Sequence, residues 1–274
     1  MELARDNILV QKRGLGLAAI SYDSVAVLRD FASRKKITFP LLSDPDSRVI
    51  RAFGILNESV KPESPQYGIP YPGTYLVDTQ GKVVAKYFEQ DMRERISASA
   101  ILAGRLGEPI TAAHASVEAK HVALTTAAST AIAMPGHRIL LSVEIDLPNR
   151  MHVYAPGVNG YVPVEWNMDL SGGTRSEPVL FPAPEKLYLK PIKESVPVYR
   201  RKVRLTREIT FGQENALRPL VSPSGELVLK GSFRYQACND RECYLPETVP
   251  IEWRFQFQGM ERERAPVELQ RKGR

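Results

Sequence analysis

At 274 residues, 43% hydrophobic and 25% charged, the chain is long enough for two ordinary domains, each with its own core, and no apolar run approaches the roughly 20 residues of a bilayer span. The formal net charge is +6, and residues 183–210 carry eight Lys/Arg against three Glu. These basic residues lie in an alternating strand pattern (VYRRKVRLTREI) without a recognition helix or aromatic platform, which argues against nucleic acid and leaves an acidic protein partner open. The opening residues MELARDNILVQKRGLGLAAI interleave charges with apolar positions, so no signal-peptide core is present and the chain as written reads as cytoplasmic.

Residues 1–104 alternate helix and strand. MELARDNILVQKR is helix-compatible, and GLGLAAIS (14–21) is a short apolar run of the buried-strand type. Asp23 or Ser24 can cap a helix over SVAVLRDFASRKK. FPLLSD reads as a second strand, DPDSRVIRAFGI as a short helix ending near Gly54. After a Pro-rich loop, TYLVDTQGKVVAKYF is a hairpin turning at Thr79-Gln80-Gly81, with glycine where a positive φ is needed. DMRERISASAILAGRL closes the unit as a helix ending at Gly104 or Gly107. This order means an α/β domain.

Residues 105–120 are small and polar, which suits a linker. From 121 to 258 the pattern is all strand and turn. HVALTTAA, HRILLSVEID, MHVYAPG, VPVEWNMD, VYRRKVRLTREI, ELVLKGSFRYQA and VPIEWRFQFQ alternate, punctuated by MPGH, LPNR, GVNG, SGG and SPSG. Such a run without a convincing helix predicts an antiparallel sandwich of immunoglobulin-like type, with Trp166 and Trp253 in its core. A charged tail, 259–274, follows.

The stretch GLGLAAISYDSVAVLRDFASRKKITFPLLSDPDSRVIRAFGI, with the hairpin GIPYPGTYLVDTQGKVV (68–84), resembles the AhpC/TSA peroxiredoxin family. The resemblance implies a thioredoxin-like fold over residues 1–103. It places Pro72, with Pro70 as its competitor, where thioredoxin-fold proteins often carry a cis-proline beside the active site; trans remains the ordinary state of an X-Pro bond. The family's reactive cysteine lies on a strand–loop–helix unit upstream of the helix that begins this chain. No cysteine precedes position 238, so the peroxidatic nucleophile is absent from residues 1–103. The domain is therefore expected to be incomplete, lacking the strand between 15–20 and 74–78 and reading as truncated at its start.

The two cysteines, Cys238 and Cys243, lie together in FRYQACNDRECYLPE (233–247). A staple, a metal clip and a working redox pair all begin this way. As a staple the crosslink closes a short loop and stabilises by only about 2 kcal/mol. A structural zinc site wants four ligands, and His114, His121, His137 and His152 show no paired spacing with the cysteines. GLGLAA lacks the third glycine of a dinucleotide fingerprint, and no cofactor is expected.

YQACNDRECYLPETVPIEW (235–253) resembles the N-terminal periplasmic domain of the thiol:disulfide interchange protein DsbD, and MHVYAPG (151–157) resembles that family's aromatic segment near the cysteines. The resemblance spans about 117–258. It implies a reversible Cys238–Cys243 disulfide at one end of the sandwich, a thioredoxin-like or peroxiredoxin-type thiol protein as partner, a periplasmic setting and no membrane insertion. His152 and Tyr154, as i and i+2, share one sheet face and are candidate supports. Arg241 could favour the thiolate, whereas Asp240 and Glu242 oppose it. The family's aromatic cap loop falls in KLYLKPIKESVPVY. Two alternatives stand beside this reading. One is a peroxide reductase whose catalytic cysteine lies outside this chain, and the other a binding module braced by a structural disulfide.

Overall fold

The computed structural model describes residues 2–89, 91–189 and 193–269. The chain divides into two compact units, residues 1–102 with 261–274, and residues 103–260.

In the first unit α1 (Glu2–Lys12) leads into β1 (Ala19–Ser21), α2 (Val25–Lys35) and β2 (Leu41–Ser43). Ser24 caps α2 by accepting from the Val27 N–H, and Lys36 ends it in the left-handed region. β1 and β2 are parallel, Ala19 opposite Leu41. After α3 (Arg48–Ala52) comes an antiparallel hairpin, β3 (Gly73–Val77) and β4 (Val83–Phe88). Asp78 organises its turn by accepting from the N–H groups of Gln80 and Lys82, with Gly81 at φ 80°. Among the described residues no strand joins β1–β2 to β3–β4.

After β5 (Arg95–Ile96), α4 spans Ala98–Leu106. It starts seven residues later than the sequence pattern predicts, because Asp91 folds back on Arg93 and Ser97 accepts from the Ala100 N–H as a cap. Residues 261–265, read as part of a charged tail, return to this unit: Lys35 lies 2.6 Å from both Glu261 and Glu263, and Arg34 3.2 Å from Glu263.

The second unit is an immunoglobulin-like sandwich. One sheet has the order β11 (Glu165–Asp169), β16 (Glu226–Tyr235), β18 (Glu247–Phe257), β8 (Ile132–Ala133), antiparallel except at β8. The facing sheet runs β12 (Arg175–Ser176), β15 (Lys202–Thr210), β9 (His137–Asp146), β7 (Ala123–Ala128), β6 (Ala112–Val117). Strand β6 corrects the linker reading of 105–120. Its small side chains resemble a linker, yet its backbone pairs with β7, and Ala113 and Val117 pack on the core.

Period-two burial builds that core. Leu227, Leu229, Phe233 and Tyr235 point inward from β16, as do Val249, Ile251, Trp253 and Phe255 from β18. Trp253 stacks on Trp166 at 5.4 Å, and its indole N–H donates to the Ala127 carbonyl across the sandwich at 2.9 Å. A short helix α5 (Glu214–Leu217) and the strand β13 (Glu185–Leu189) were not anticipated.

A third, smaller sheet has the order β13, β14 (Glu194–Arg200), β10 (His152–Tyr154), β17 (Ala237–Cys238). Three of its strands continue strands of the sandwich. VYRRKVRLTREI, read as one strand, breaks at Arg201 (φ 58°) into β14 and β15. β9 passes into β10 through Arg150 (φ 68°), and β16 into β17 at residue 236.

Trp253→Ala should cost about 3–5 kcal/mol through lost burial and the cavity left behind. Urea unfolding monitored by far-UV circular dichroism would measure it.

Candidate functional site: a half-buried disulfide

The end of β16 carries the chain through Gln236 to Ala237 and Cys238, and the return begins at Cys243. Between them 239–242 form a tight turn: the Asn239 N–H donates to the Glu242 carbonyl, and the Asn239 side-chain oxygen accepts from the N–H groups of Arg241 and Glu242. The Tyr244 N–H donates to the Ala237 carbonyl. These bonds bring the cysteines opposite each other as an isolated bridge, Cα atoms 4.0 Å apart, and their sulfurs are joined.

The two halves of this disulfide differ in exposure. Cys238 is fully buried, in a cluster with Tyr154, Val196 and Val198, whereas Cys243 is exposed. Val158, Tyr161, Leu187 and Leu189 complete the cover. The segment read as an aromatic cap loop is thus the β13–β14 hairpin, which contributes Leu187 and Leu189; its residues 190–192 lie outside the described residues.

Tyr154 reaches both sulfurs, its hydroxyl oxygen 3.6 Å from Cys243 Sγ and 3.7 Å from Cys238 Sγ. With the sulfurs oxidised only the hydroxyl can donate. Burial, with a smaller contribution from Tyr161, pushes its pKa up to about 12, so it stays a donor at neutral pH. Tyr161 stacks on its ring at 4.3 Å. No sequence signal marked Tyr161, which arrives from the loop after β10. Tyr244 is held by Asn239 Nδ2 and stacks on His121 at 3.7 Å.

His152 stands directly across the ladder from Cys238 and is buried. Its ring meets Tyr154 edge-on at 5.5 Å, and its Nε2 is buried without a hydrogen-bond partner. The structure thus brings His152, Tyr154, Cys238 and Cys243 together. Arg241 is in the exposed turn and lines a groove of about 450 Å³ between 148–151 and 239–241. Pro72 belongs to the first unit, ahead of β3, and its peptide bond is trans.

Comparison with known proteins assigns each unit a likeness. Residues 1–86 match the AhpC/TSA family, and residues 119–253 match the thiol:disulfide interchange protein DsbD, N-terminal. Two relatives from Mycobacterium tuberculosis strains, each named as a candidate peroxiredoxin, are 37% identical over 79 residues, 27% of this chain and 47% of theirs. The chain therefore spans about half the length of the curated relatives it matches. Among solved structures, the N-terminal periplasmic domain of ScsB from Proteus mirabilis aligns over 53% of this chain and 52% of that one, at 12% identity and a TM-score of 0.36. The DsbD N-terminal domain of Neisseria meningitidis in its reduced form aligns over 42% of this chain and 82% of its own, at 15% identity and a TM-score of 0.26. The family matches and the joined cysteines indicate thiol–disulfide redox function.

Burial, reinforced by Arg200 and opposed by Asp240, holds the His152 pKa below its ordinary value. The unfolded chain therefore binds more protons below about pH 6.5, and stability falls as pH drops from there toward the lower folded value. Urea midpoints of the oxidised protein should show this decline, and His152→Phe should flatten it. An unchanged slope in the variant would locate its source elsewhere.

Proposed function

We propose that Cys238 and Cys243 form a reversible dithiol/disulfide couple that exchanges two electrons with a thioredoxin-like or peroxiredoxin-type thiol protein, with Cys243 as the point of contact. The observation that carries this reading is the unequal exposure of the two sulfurs. An incoming thiolate must approach along the S–S axis, and of the two cysteines only Cys243 is an exposed residue.

Attack on Cys243 Sγ forms a partner–Cys243 disulfide, breaks the internal S–S bond and leaves the electron pair on Cys238 as a thiolate. The Tyr154 hydroxyl, already within reach of that sulfur, then donates to a charged acceptor. Such bonds are stronger than those to neutral sulfur, so the contact favours departure over the resting state. A second thiolate from the partner attacks its own half of the mixed disulfide. The partner leaves oxidised, and the pair remains as a dithiol. The reverse sequence oxidises the dithiol at the expense of a partner disulfide.

Tyr161, Leu187 and Leu189 pack on the cluster that buries Cys238, which keeps water and stray thiols from the inner sulfur. Peroxide attack is not assigned to residues 1–104, which contain no cysteine. A short-loop crosslink contributes too little stability to explain the pair as a brace for a sandwich with so continuous a core.

Thiol labelling across glutathione buffers is the deciding experiment. A reduction potential between about −120 and −270 mV is expected, the range of catalytic dithiols. A value below about −300 mV would make the pair a structural disulfide and overturn the reading. The exposure difference predicts a second result. Cys238→Ser should trap partners as mixed disulfides through Cys243, visible on non-reducing gels, whereas Cys243→Ser should trap none.

A further inference from the structure

The couple proposed above has a chemical difficulty on its buried side. When a mixed disulfide on Cys243 resolves, Cys238 must attack as a thiolate. Its sulfur is fully buried, so bulk water cannot take the proton directly, and apolar surroundings disfavour the charged form.

The group placed to solve this is His152. It is the register partner of Cys238 on the neighbouring antiparallel strand, and directly opposite residues have Cβ atoms about 4.5–5.5 Å apart. It shares the face of Tyr154, whose hydroxyl touches both sulfurs. Its Nε2 is buried and unpartnered, an arrangement uncommon enough in folded proteins to need a cause. A neutral imidazole offers one lone pair as a base.

We propose that His152 is the general base for Cys238, taking the thiol proton on Nε2 as Cys238 closes on Cys243. This inference rests on the redox reading of the pair. In the step, the Cys238 S–H proton passes to Nε2 and the resulting thiolate attacks Cys243 Sγ. The Cys238–Cys243 bond forms, the bond from Cys243 to the partner sulfur breaks, and the partner leaves as a thiolate. The imidazolium then passes its proton to the departing partner sulfur, which restores the neutral ring. In the opposite direction the resting ring has no proton on Nε2 to give, and Cys238 is expelled as a thiolate facing the Tyr154 hydroxyl.

The groups facing the ring fit a base that rests uncharged. Arg200 lies opposite it on β14 and Cys238 on β17, Tyr154 is beside it on β10, and Asp240 acts from the turn. Burial and Arg200 favour the neutral ring, so it is ready to accept a proton at neutral pH, while Asp240 stabilises the imidazolium once formed.

The test isolates the resolving step. Reduced full-length protein is mixed with dithiobis(nitrobenzoate), and release of thionitrobenzoate is followed by absorbance. Cys243 releases the first equivalent in a phase that depends on reagent concentration. Cys238 releases the second in a phase that does not. His152→Phe and His152→Gln should each slow the second phase by about 10²-fold at neutral pH. They should also turn a shallow pH dependence into a rise of about tenfold per pH unit, and leave the first phase unchanged. His152→Gln keeps a polar group of similar reach, so a wild-type second phase and pH profile in that variant would overturn the base assignment and leave a packing role. If the unsubstituted protein releases no second equivalent, the pair does not cycle, and the redox reading itself falls.

Discussion

The site depends on the backbone turning out of the sandwich where β9 and β15 meet its rim. Arg150 and Arg201 both adopt positive φ, a conformation that costs a non-glycine residue on the order of 1–3 kcal/mol. It persists because the chain on either side is held in a sheet, and because the Leu147 N–H donates to the Arg201 carbonyl at 2.9 Å, tying the two corners together. Past those corners β10 and β14 leave the core sheet and pair with each other. β17 joins them as the continuation of β16. Without the corners the cysteine hairpin would end in solvent with neither sulfur covered.

That small sheet gives a short-loop disulfide two unlike ends. The five-residue separation of the cysteines would leave both sulfurs exposed on an isolated hairpin. Pairing with β10 draws Cys238 beneath Tyr154 and opposite His152, and the turn organised by Asn239 keeps Cys243 outside. In the exchange we propose, accessibility selects the sulfur for attack, and the tyrosine hydroxyl serves the sulfur that must leave. The same burial favours a protonated Tyr154 and a neutral His152, so one desolvated pocket sets the proposed donor and the proposed base side by side.

The first unit shows a different constraint. Its β3–β4 hairpin and the cap of α2 are held by local hydrogen bonds and were legible in the sequence, with Asp23 as the alternative to Ser24; the parallel pairing of β1 with β2 was not. Nor was its tail segment. Glu261 and Glu263 read as members of a charged run, and their pairing with Arg34 and Lys35 spans more than two hundred positions. Such exposed pairs contribute little each, but together they hold residues 261–263 beside α2.

What the sequence by itself determined follows from short-range physics. Period-two alternation marked the core strands, glycine and asparagine marked the turns, Asp23 or Ser24 marked a cap, and the closeness of Cys238 and Cys243 marked a pair whose redox reading, with the aromatic segment beside it, came from the family resemblance. What only the tertiary structure decided depends on partners far apart along the chain. Tyr154 meets Cys243 across 89 positions, Tyr161 and the β13–β14 hairpin close over Cys238, and VYRRKVRLTREI divides at Arg201 between two sheets. A strand pattern records which side of the backbone is apolar. It does not record which sheet the strand joins, and hence which sulfur remains in water.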